Sequence, residues 1–307
     1  MVSRLKSHRR LFCLYKLKIN FKEIFMNQVN GLYRPYYYPE GHPRAGRFSG
    51  HGLSPTGLGA YLSFMTKRHP QLLSNLEPLI DADPNCTPEF DDQFFEHAYS
   101  VLRNTDGRLL LPVYRQNHTV GLIKEDDQFL LLDSYNAYGA KDADHIPLLR
   151  FLRSSFRDAS ITTLHDKMQN DYHNCAFFAV HNLLKVEREI SNQQISLPQF
   201  IERIDTRKLH TPVIGCINDT KKMQSYRELG IHSIATPACL VPHIQSLKQA
   251  TATAENSTEF RLTRVYLPYG THENELRKYT VMGEHKGRHV HMNTNIQSAN
   301  DEFRSTL

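Results

Sequence analysis

HTVGLIKEDDQFLLLDS, residues 118–134, is the stretch that decides the fold. Two short apolar runs, HTVGLI and QFLLLDS, flank the polar segment KEDDQ, which has the composition of a hairpin turn. We therefore predict that His118 begins one strand and that Asp133 ends the next. If the strands pair, the two side chains lie together at the open end of the hairpin.

Further elements continue on both sides of this hairpin. RLLLPVY (108–114) predicts a strand before it, and SITTLHDK (160–167) predicts one after it, with a helix over 144–157 between. Nearly continuous apolar strands are typical of a sheet covered on both faces. Helical patterns also run from Glu89 to Arg103 and from Cys175 onward, in CAFFAVHNLLKVERE. The order predicts an α+β fold, a central mixed β-sheet flanked by helices.

The remaining chain divides by texture. We predict a flexible basic tail rich in Pro, Gly and Tyr over residues 1–58, a catalytic core over 59–190, a C-terminal part of the core over 191–295, and a loose polar tail over 296–307. RLTRVYLPYG (261–270) and LRKYTVMGEHKGRHVHM (276–292) predict strands.

Composition excludes several classes of function. The formal net charge is only +5 at pH 7, and the sequence has none of the dense Lys/Arg blocks of nucleic-acid binders. No nucleic-acid partner is therefore predicted. The sequence contains no apolar run of about 18 residues, so no membrane-inserted helix is predicted. The five cysteines form no CxxC pair, and the histidines of 272–291 match no compact ligand set. We therefore expect no metal and free thiols in a reducing compartment.

Cys175 lies at the predicted junction of a polar turn and a helix. The helix dipole and unpaired backbone N–H groups there favour a thiolate and can stabilise an oxyanion. His118 would be its base, oriented by Asp133. The side-chain amide of Gln169 would donate to the same oxyanion. A lone cysteine is most often a small buried core residue, but the joint pattern favours a nucleophile.

The order His, Asp, Gln, Cys resembles clan CE of the cysteine enzymes. That clan holds the Ulp-type proteases of ubiquitin-like proteins, the adenovirus-type proteases and the YopJ-type bacterial effector acetyltransferases. The resemblance covers about residues 108–190. It implies a papain-like or Ulp-like thiol-enzyme core with the nucleophile at a helix N-terminus.

Two branches of the clan compete. In the Ulp-type branch Trp commonly follows the catalytic His and Gly follows the Cys, whereas Thr119 and Ala176 stand here. Asp133 nevertheless resembles that branch, because YopJ-type enzymes usually have Glu at this position. CAFFA (175–179) resembles the YopJ-type pattern of Cys, a small residue, Phe at the third position after it, and Ala.

A later segment also resembles the YopJ-type branch. TPACLVPHIQS (236–246) is similar to that branch's LP segment ending in KHTQS, with His243, Gln245 and Ser246 in register. Pro242 stands where that pattern has Lys. The resemblance makes His243, Gln245 and Lys248 candidates for binding the cofactor.

The favoured YopJ-type resemblance implies a mechanism. Cys175 would take acetyl from acetyl-CoA as a thioester, and His118 would deprotonate the thiol and then a Ser, Thr or Lys of a host protein. It also implies activation by inositol hexakisphosphate in a basic regulatory pocket within 191–295, and secretion by a bacterial secretion system into the host cell cytoplasm. The candidate basic residues are Arg203, Arg207, Lys208, Lys221, Lys222, Lys248, Arg277 and Lys286.

Two alternatives stay open. An Ulp-type cysteine protease would use the same triad with water as acceptor, on a Gly-Gly tail of ubiquitin or a relative. A non-enzymatic interaction protein could retain the same core without its chemistry. The sequence does not indicate the oligomeric state, and Met26 is an alternative start to Met1.

Overall fold

The structure is a computed structural model that describes residues 29–37, 44–81, 88–115, 117–134, 146–164, 168–169, 171, 173–204, 226–245, 250, 260–265, 280–285, 288–291 and 294–307. The helices are α1 Val29–Leu32, α2 Pro55–Arg68, α3 Pro88–Asn104, α4 Ile146–Ser155, α5 Cys175–Gln193, α6 Leu197–Glu202 and α7 Thr294–Ser305, with a 3₁₀ helix at Ala238–His243. The strands are β1 Tyr33–Tyr37, β2 Phe48–Leu53, β3 Leu79–Ile80, β4 Leu109–Arg115, β5 His118–Glu125, β6 Gln128–Leu132, β7 Ser160–Leu164, β8 His232–Ile234, β9 Phe260–Val265, β10 Thr280–His285 and β11 Arg288–His291.

The central sheet has six strands in the order β3-β4-β5-β6-β7-β8. β4, β5 and β6 form an antiparallel meander, while β3, β7 and β8 each join a neighbour in parallel. The tight turn between β5 and β6 passes through Asp126, whose φ is 51°. The predicted mixed sheet and its central hairpin are confirmed.

The sheet is covered on both faces because successive side chains along a strand point to opposite sides. On β4, Leu109 and Leu111 join a core formed with α3 and α4. Leu110 and Tyr114 join the core on the other face, formed with α2, α5 and α7. The apolar runs read from the sequence therefore serve two hydrophobic layers.

The α5 helix lies directly against the middle of the sheet. A Cβ added at Gly121 of β5 would lie 3.0 Å from Cγ of Leu183 and 3.3 Å from the carbonyl oxygen of Ala179. Glycine at this position thus permits the close approach of helix and strand. The packing fixes the height of α5 above the sheet, and with it the position of Cys175 at the helix start.

The structure differs from the two predicted tails. Within residues 1–58, β1 and β2 pair as an antiparallel hairpin, and Leu53 is fully buried. At the other end, α7 buries Ile296, Ala299 and Phe303, which share one helical face. Many of the polar residues that led to the prediction of a loose tail lie on the outward side of this helix. Residues 1–28 lie outside the described part of the chain.

The three-stranded sheet β9-β10-β11 confirms the described parts of the strands predicted over 261–270 and 276–292, including HVH at 289–291. Within the described ranges, no helix combines the length and apolarity needed to span a membrane.

Candidate active site

The open end of the central hairpin brings two predicted site residues together. His118 is the first residue of β5, and Asp133 directly follows β6. Nε2 of His118 lies 3.0 Å from Oδ1 of Asp133, and both side chains are almost entirely buried. The carboxylate therefore fixes the ring orientation and binds one ring nitrogen, which leaves Nδ1 for another partner.

Cys175, the first residue of α5, is buried next to this pair. Hydrogen bonding and charge from its thiol both contribute to raising the pKa of the His118 imidazole. The predicted nucleophile, base and orienting carboxylate thus form one contiguous row.

The electrostatics of this row favour a charged imidazole. Burial works against the imidazolium, but the charge and hydrogen bond of Asp133, together with Cys175, outweigh it. The pKa of His118 consequently lies well above its ordinary value. A proton held on His118 beside the thiol is the arrangement that a cysteine nucleophile requires.

Gln169 is buried near this row, but its side chain has other partners. Its Oε1 accepts a hydrogen bond from Oγ of Ser134 at 2.9 Å. Its Nε2 donates to the carbonyl oxygen and to Oδ1 of Asp171, at 2.8 and 3.1 Å. Because both amide hydrogens face Asp171, the predicted role of Gln169 as an oxyanion donor stays a prediction.

Asp171 organises the turn before Cys175, and the sequence reasoning missed it. Its Oδ1 accepts from the backbone N–H groups of His173 and Asn174, at 3.3 and 3.0 Å. Its Oδ2 accepts from Nδ2 of Asn174 at 2.9 Å and from the side-chain amide of Gln245. An Asp that binds N–H groups two and three residues ahead is a recognisable turn signal.

Asn174 connects this turn to the end of the chain. Its Oδ1 accepts from Nδ2 of Asn300 in α7 at 3.2 Å, and Oδ1 of Asn300 accepts from the Tyr33 hydroxyl at 3.2 Å. These three residues are buried. The loop that carries the nucleophile is therefore tied to both the N-terminal hairpin and the C-terminal helix.

Two tyrosines near the thiol, and an arginine that contacts both of them, were also missed from the sequence. The guanidinium carbon of Arg34 lies 4.7 Å from the ring centre of Tyr36 and 5.5 Å from that of Tyr114. Burial raises the pKa of Tyr114 to about 12 and raises that of Tyr36 further. Both phenols thus stay neutral beside Cys175.

The candidates for cofactor binding occupy different places. His243 is fully buried in the 3₁₀ helix, where Nδ1 pairs with Oδ1 of Asn182 at 2.8 Å. Burial, with smaller effects of His181 and Lys185, holds the pKa of His243 well below its usual range. His243 is therefore a neutral, buried residue, and its role in binding the cofactor stays a prediction.

Gln245 binds Asp171 rather than facing solvent, since Nε2 donates to the carboxylate and Oε1 accepts from the N–H of Asp171 at 3.2 Å. Its contact is therefore with the turn before Cys175. Lys248 lies outside the described residues. So do all candidates for the basic pocket except Arg203, which is exposed and donates to Gln193. No cluster of three metal-binding side chains occurs in the described part of the chain.

Comparison with solved structures gives several matches of low identity. SUMO protease Ulp1 with its catalytic cysteine oxidised to a sulfinic acid is 15% identical, with a TM-score of 0.30, and the match covers 45% of this chain and 67% of that chain. HopZ1a in complex with IP6 is 11% identical, with a TM-score of 0.47 and coverage of 82% and 84%. AvrA with IP6 and CoA is 11% identical, with a TM-score of 0.36 and coverage of 81% and 85%.

Neither the protein-family models nor the curated protein sequences give a match. At these identities and TM-scores the chemistry rests on the side chains of this chain.

Proposed function

We propose that this protein is a bacterial effector-like thiol acyltransferase, which carries an acetyl group from acetyl-CoA on Cys175 to a Ser, Thr or Lys of a host protein. The observation that carries the proposal is the row Asp133, His118, Cys175 at the N-terminus of a buried helix. A raised pKa on His118 supplies a proton donor and acceptor next to the thiol.

The first half-reaction forms an acyl-enzyme. The Cys175 thiolate attacks the thioester carbonyl of acetyl-CoA, and the C–S bond to CoA breaks when the tetrahedral adduct collapses. His118 gives its proton to the departing CoA thiolate. Backbone N–H groups in the first turn of α5 point where the negative carbonyl oxygen develops.

The second half-reaction transfers the acetyl group. Neutral His118 removes a proton from the acceptor hydroxyl or amine as that group attacks the Cys175 thioester. The C–S bond breaks, Cys175 leaves as the thiolate, and the proton on His118 restores the starting ion pair. Asp133 keeps the ring in one orientation through both steps.

The choice of transferase over protease rests on sequence. CAFFA (175–179) and TPACLVPHIQS (236–246) resemble the YopJ-type branch, although Pro242 and Asp133 depart from it. On the same resemblance we propose inositol hexakisphosphate as activator and delivery by a bacterial secretion system into the host cytoplasm. Asp133 favours the second candidate function, an Ulp-type protease that removes ubiquitin or a ubiquitin-like modifier.

The test is to incubate the protein with radiolabelled acetyl-CoA, with and without inositol hexakisphosphate. We expect a hydroxylamine-sensitive label on Cys175 that is lost in Cys175→Ala and kept in Cys239→Ala, which removes another buried thiol. Capture of Cys175 by a ubiquitin or SUMO suicide probe, without acetylation, would favour the protease. Failure of both reactions would leave the non-enzymatic reading.

A further inference from the structure

The residue that precedes the nucleophile is an N-cap whose side chain does not cap. Asn is among the residues preferred at this position, because its side-chain oxygen normally accepts from N–H groups of the first helical turn. At α5, Asn174 makes no such hydrogen bond in the described structure. Its amide is instead 1% exposed and turned to two other partners.

Those partners occupy both ends of the amide. Nδ2 of Asn174 donates to Oδ2 of Asp171 at 2.9 Å. Oδ1 accepts from Nδ2 of Asn300 at 3.2 Å. The oxygen that could cap α5 is thus engaged by a residue of α7, and the amide cannot rotate without breaking both bonds.

Each partner is itself held. Asp171 is bound by the side-chain amides of Gln169 and Gln245. Asn300 accepts from the hydroxyl of Tyr33 at 3.2 Å. The orientation of the Asn174 amide is therefore fixed indirectly by three side chains. These are Gln169, Gln245 after the 3₁₀ helix, and Tyr33 of the hairpin.

We propose that Asn300 is a positioning residue, which keeps the side chain of Asn174 off the first turn of α5 so that its N–H groups stay available to the Cys175 thiolate and the acyl oxyanion. If the Asn174 side chain capped the helix, N–H groups of the first turn would donate to its amide oxygen. The positive potential at the thiol would then be lower. The inference deepens the proposed function and rests on Cys175 being a nucleophile.

The test begins with Asn300→Leu, which removes the donor to Asn174 at similar size. We expect the rate of Cys175 alkylation by iodoacetamide and the kcat of acetyl transfer to fall about tenfold, while KM for acetyl-CoA changes less than about twofold. The melting temperature should fall by a few degrees because the Tyr33 hydroxyl loses its Asn300 acceptor, a loss that the released amide offsets in part when it caps α5. Asn192→Leu, an exposed change on the same helix as Cys175, should leave all three values unchanged.

The deciding arm adds Asn174→Ala to Asn300→Leu. The double variant has no Asn174 amide that could cap α5. The rates of Cys175 alkylation and of acetyl transfer should therefore return to within about threefold of the unaltered protein. A purely structural role of Asn300 predicts the opposite, a double variant slower and less stable than either single one. Failure of this recovery, or a single variant within about twofold of the unaltered protein, overturns the proposal.

A second variant and the alkylation readout keep the outcome clear. If Asn300→Leu does not fold, Asn300→Asp retains the acceptor for Tyr33 while replacing the donor to Asn174, and the same pattern is expected. Alkylation needs no acetyl-CoA. If Cys175 responds to the variants as described but takes no acetyl label, only the proposed function is refuted. If Cys175 is alkylated no faster than Cys239, both the proposed function and the positioning role of Asn300 are refuted.

Discussion

Nε2 of His118 and Oδ1 of Asp133 lie 3.0 Å apart at the open end of a two-stranded hairpin, although 15 residues separate them in sequence. The short hairpin turn fixes the register of both strands, so the pair is set largely by local structure. The thiol of Cys175 then completes the row from a different element, helix α5.

Replacing Asp133 by Asn should remove the charge that stabilises the His118 imidazolium and favour the wrong tautomer. We expect the rate of Cys175 alkylation at neutral pH, and of acetyl transfer, to fall by about 10²–10⁴. Stopped-flow alkylation and single-turnover transfer measure the two rates. Asp158→Asn, in an exposed turn, is the matched control and should change neither. An unaffected Asp133→Asn variant would remove the carboxylate from the mechanism.

The raised pKa of His118 also predicts how stability depends on pH. The folded protein holds this proton more tightly than the unfolded chain, whose pKa is near 6.5. The stabilisation is therefore complete below about pH 6.5 and is lost as pH rises through the folded pKa. The free energy of unfolding of the native protein minus that of His118→Gln should shrink as pH rises above neutrality. A difference that grows with pH would contradict the ion pair.

The buried His181 should have the opposite effect at acid pH. Its Nε2 lies 2.6 Å from the Tyr61 hydroxyl, and burial, aided by Lys185, lowers its pKa to about 4. The unfolded chain takes up this proton first, so the contribution of His181 to stability is constant above about pH 6.5 and falls between 6.5 and 4, by about 3 kcal/mol at most.

Urea unfolding at intervals across that pH range would measure this loss. His181→Gln should flatten the acid limb, whereas His232→Gln, on an exposed side chain, should not. An equally steep limb in His181→Gln would assign the acid sensitivity to other groups, such as the buried His243, whose pKa is also lowered by burial.

Gly52 of β2 lies against the turn that carries the nucleophile. A Cβ there would lie 2.1 Å from the carbonyl oxygen of His173. Gly52→Ala should therefore destabilise the protein by about 1–3 kcal/mol and slow alkylation of Cys175. Gly59→Ala is the matched control, because a Cβ at Gly59 meets nothing within 4 Å and Ala suits its helix better than Gly. Equal stabilities of the two variants would refute the close contact.

The parts predicted correctly are those that local sequence determines. The hairpin around KEDDQ, the strand of residues 108–114 and the helix that starts at Cys175 all follow from apolar periodicity and turn residues over short windows. These elements place His118, Asp133 and Cys175 without knowledge of the rest of the fold. The core of the site was therefore within reach of the sequence.

The parts missed depend on partners distant in sequence. Asn300 meets Asn174 across 126 residues, and no local pattern announces that contact. Gly52 resembled a residue of a flexible tail, whereas it serves a close backbone contact. The burial of His243 was also missed, because it depends on the packing of the 3₁₀ helix against α5, where His243 contacts Asn182.

The chain of hydrogen bonds from Tyr33 through Asn300 to Asn174 has a consequence for synthesis on the ribosome. Tyr33 and Asn300 are 267 residues apart, and Asn300 is made 126 residues after Asn174. At about 5–20 residues per second, the turn around the thiol waits roughly 6–25 s for its last support. A nascent chain thus carries Cys175 for several seconds before Asn300, which supports the turn before it, has been synthesised.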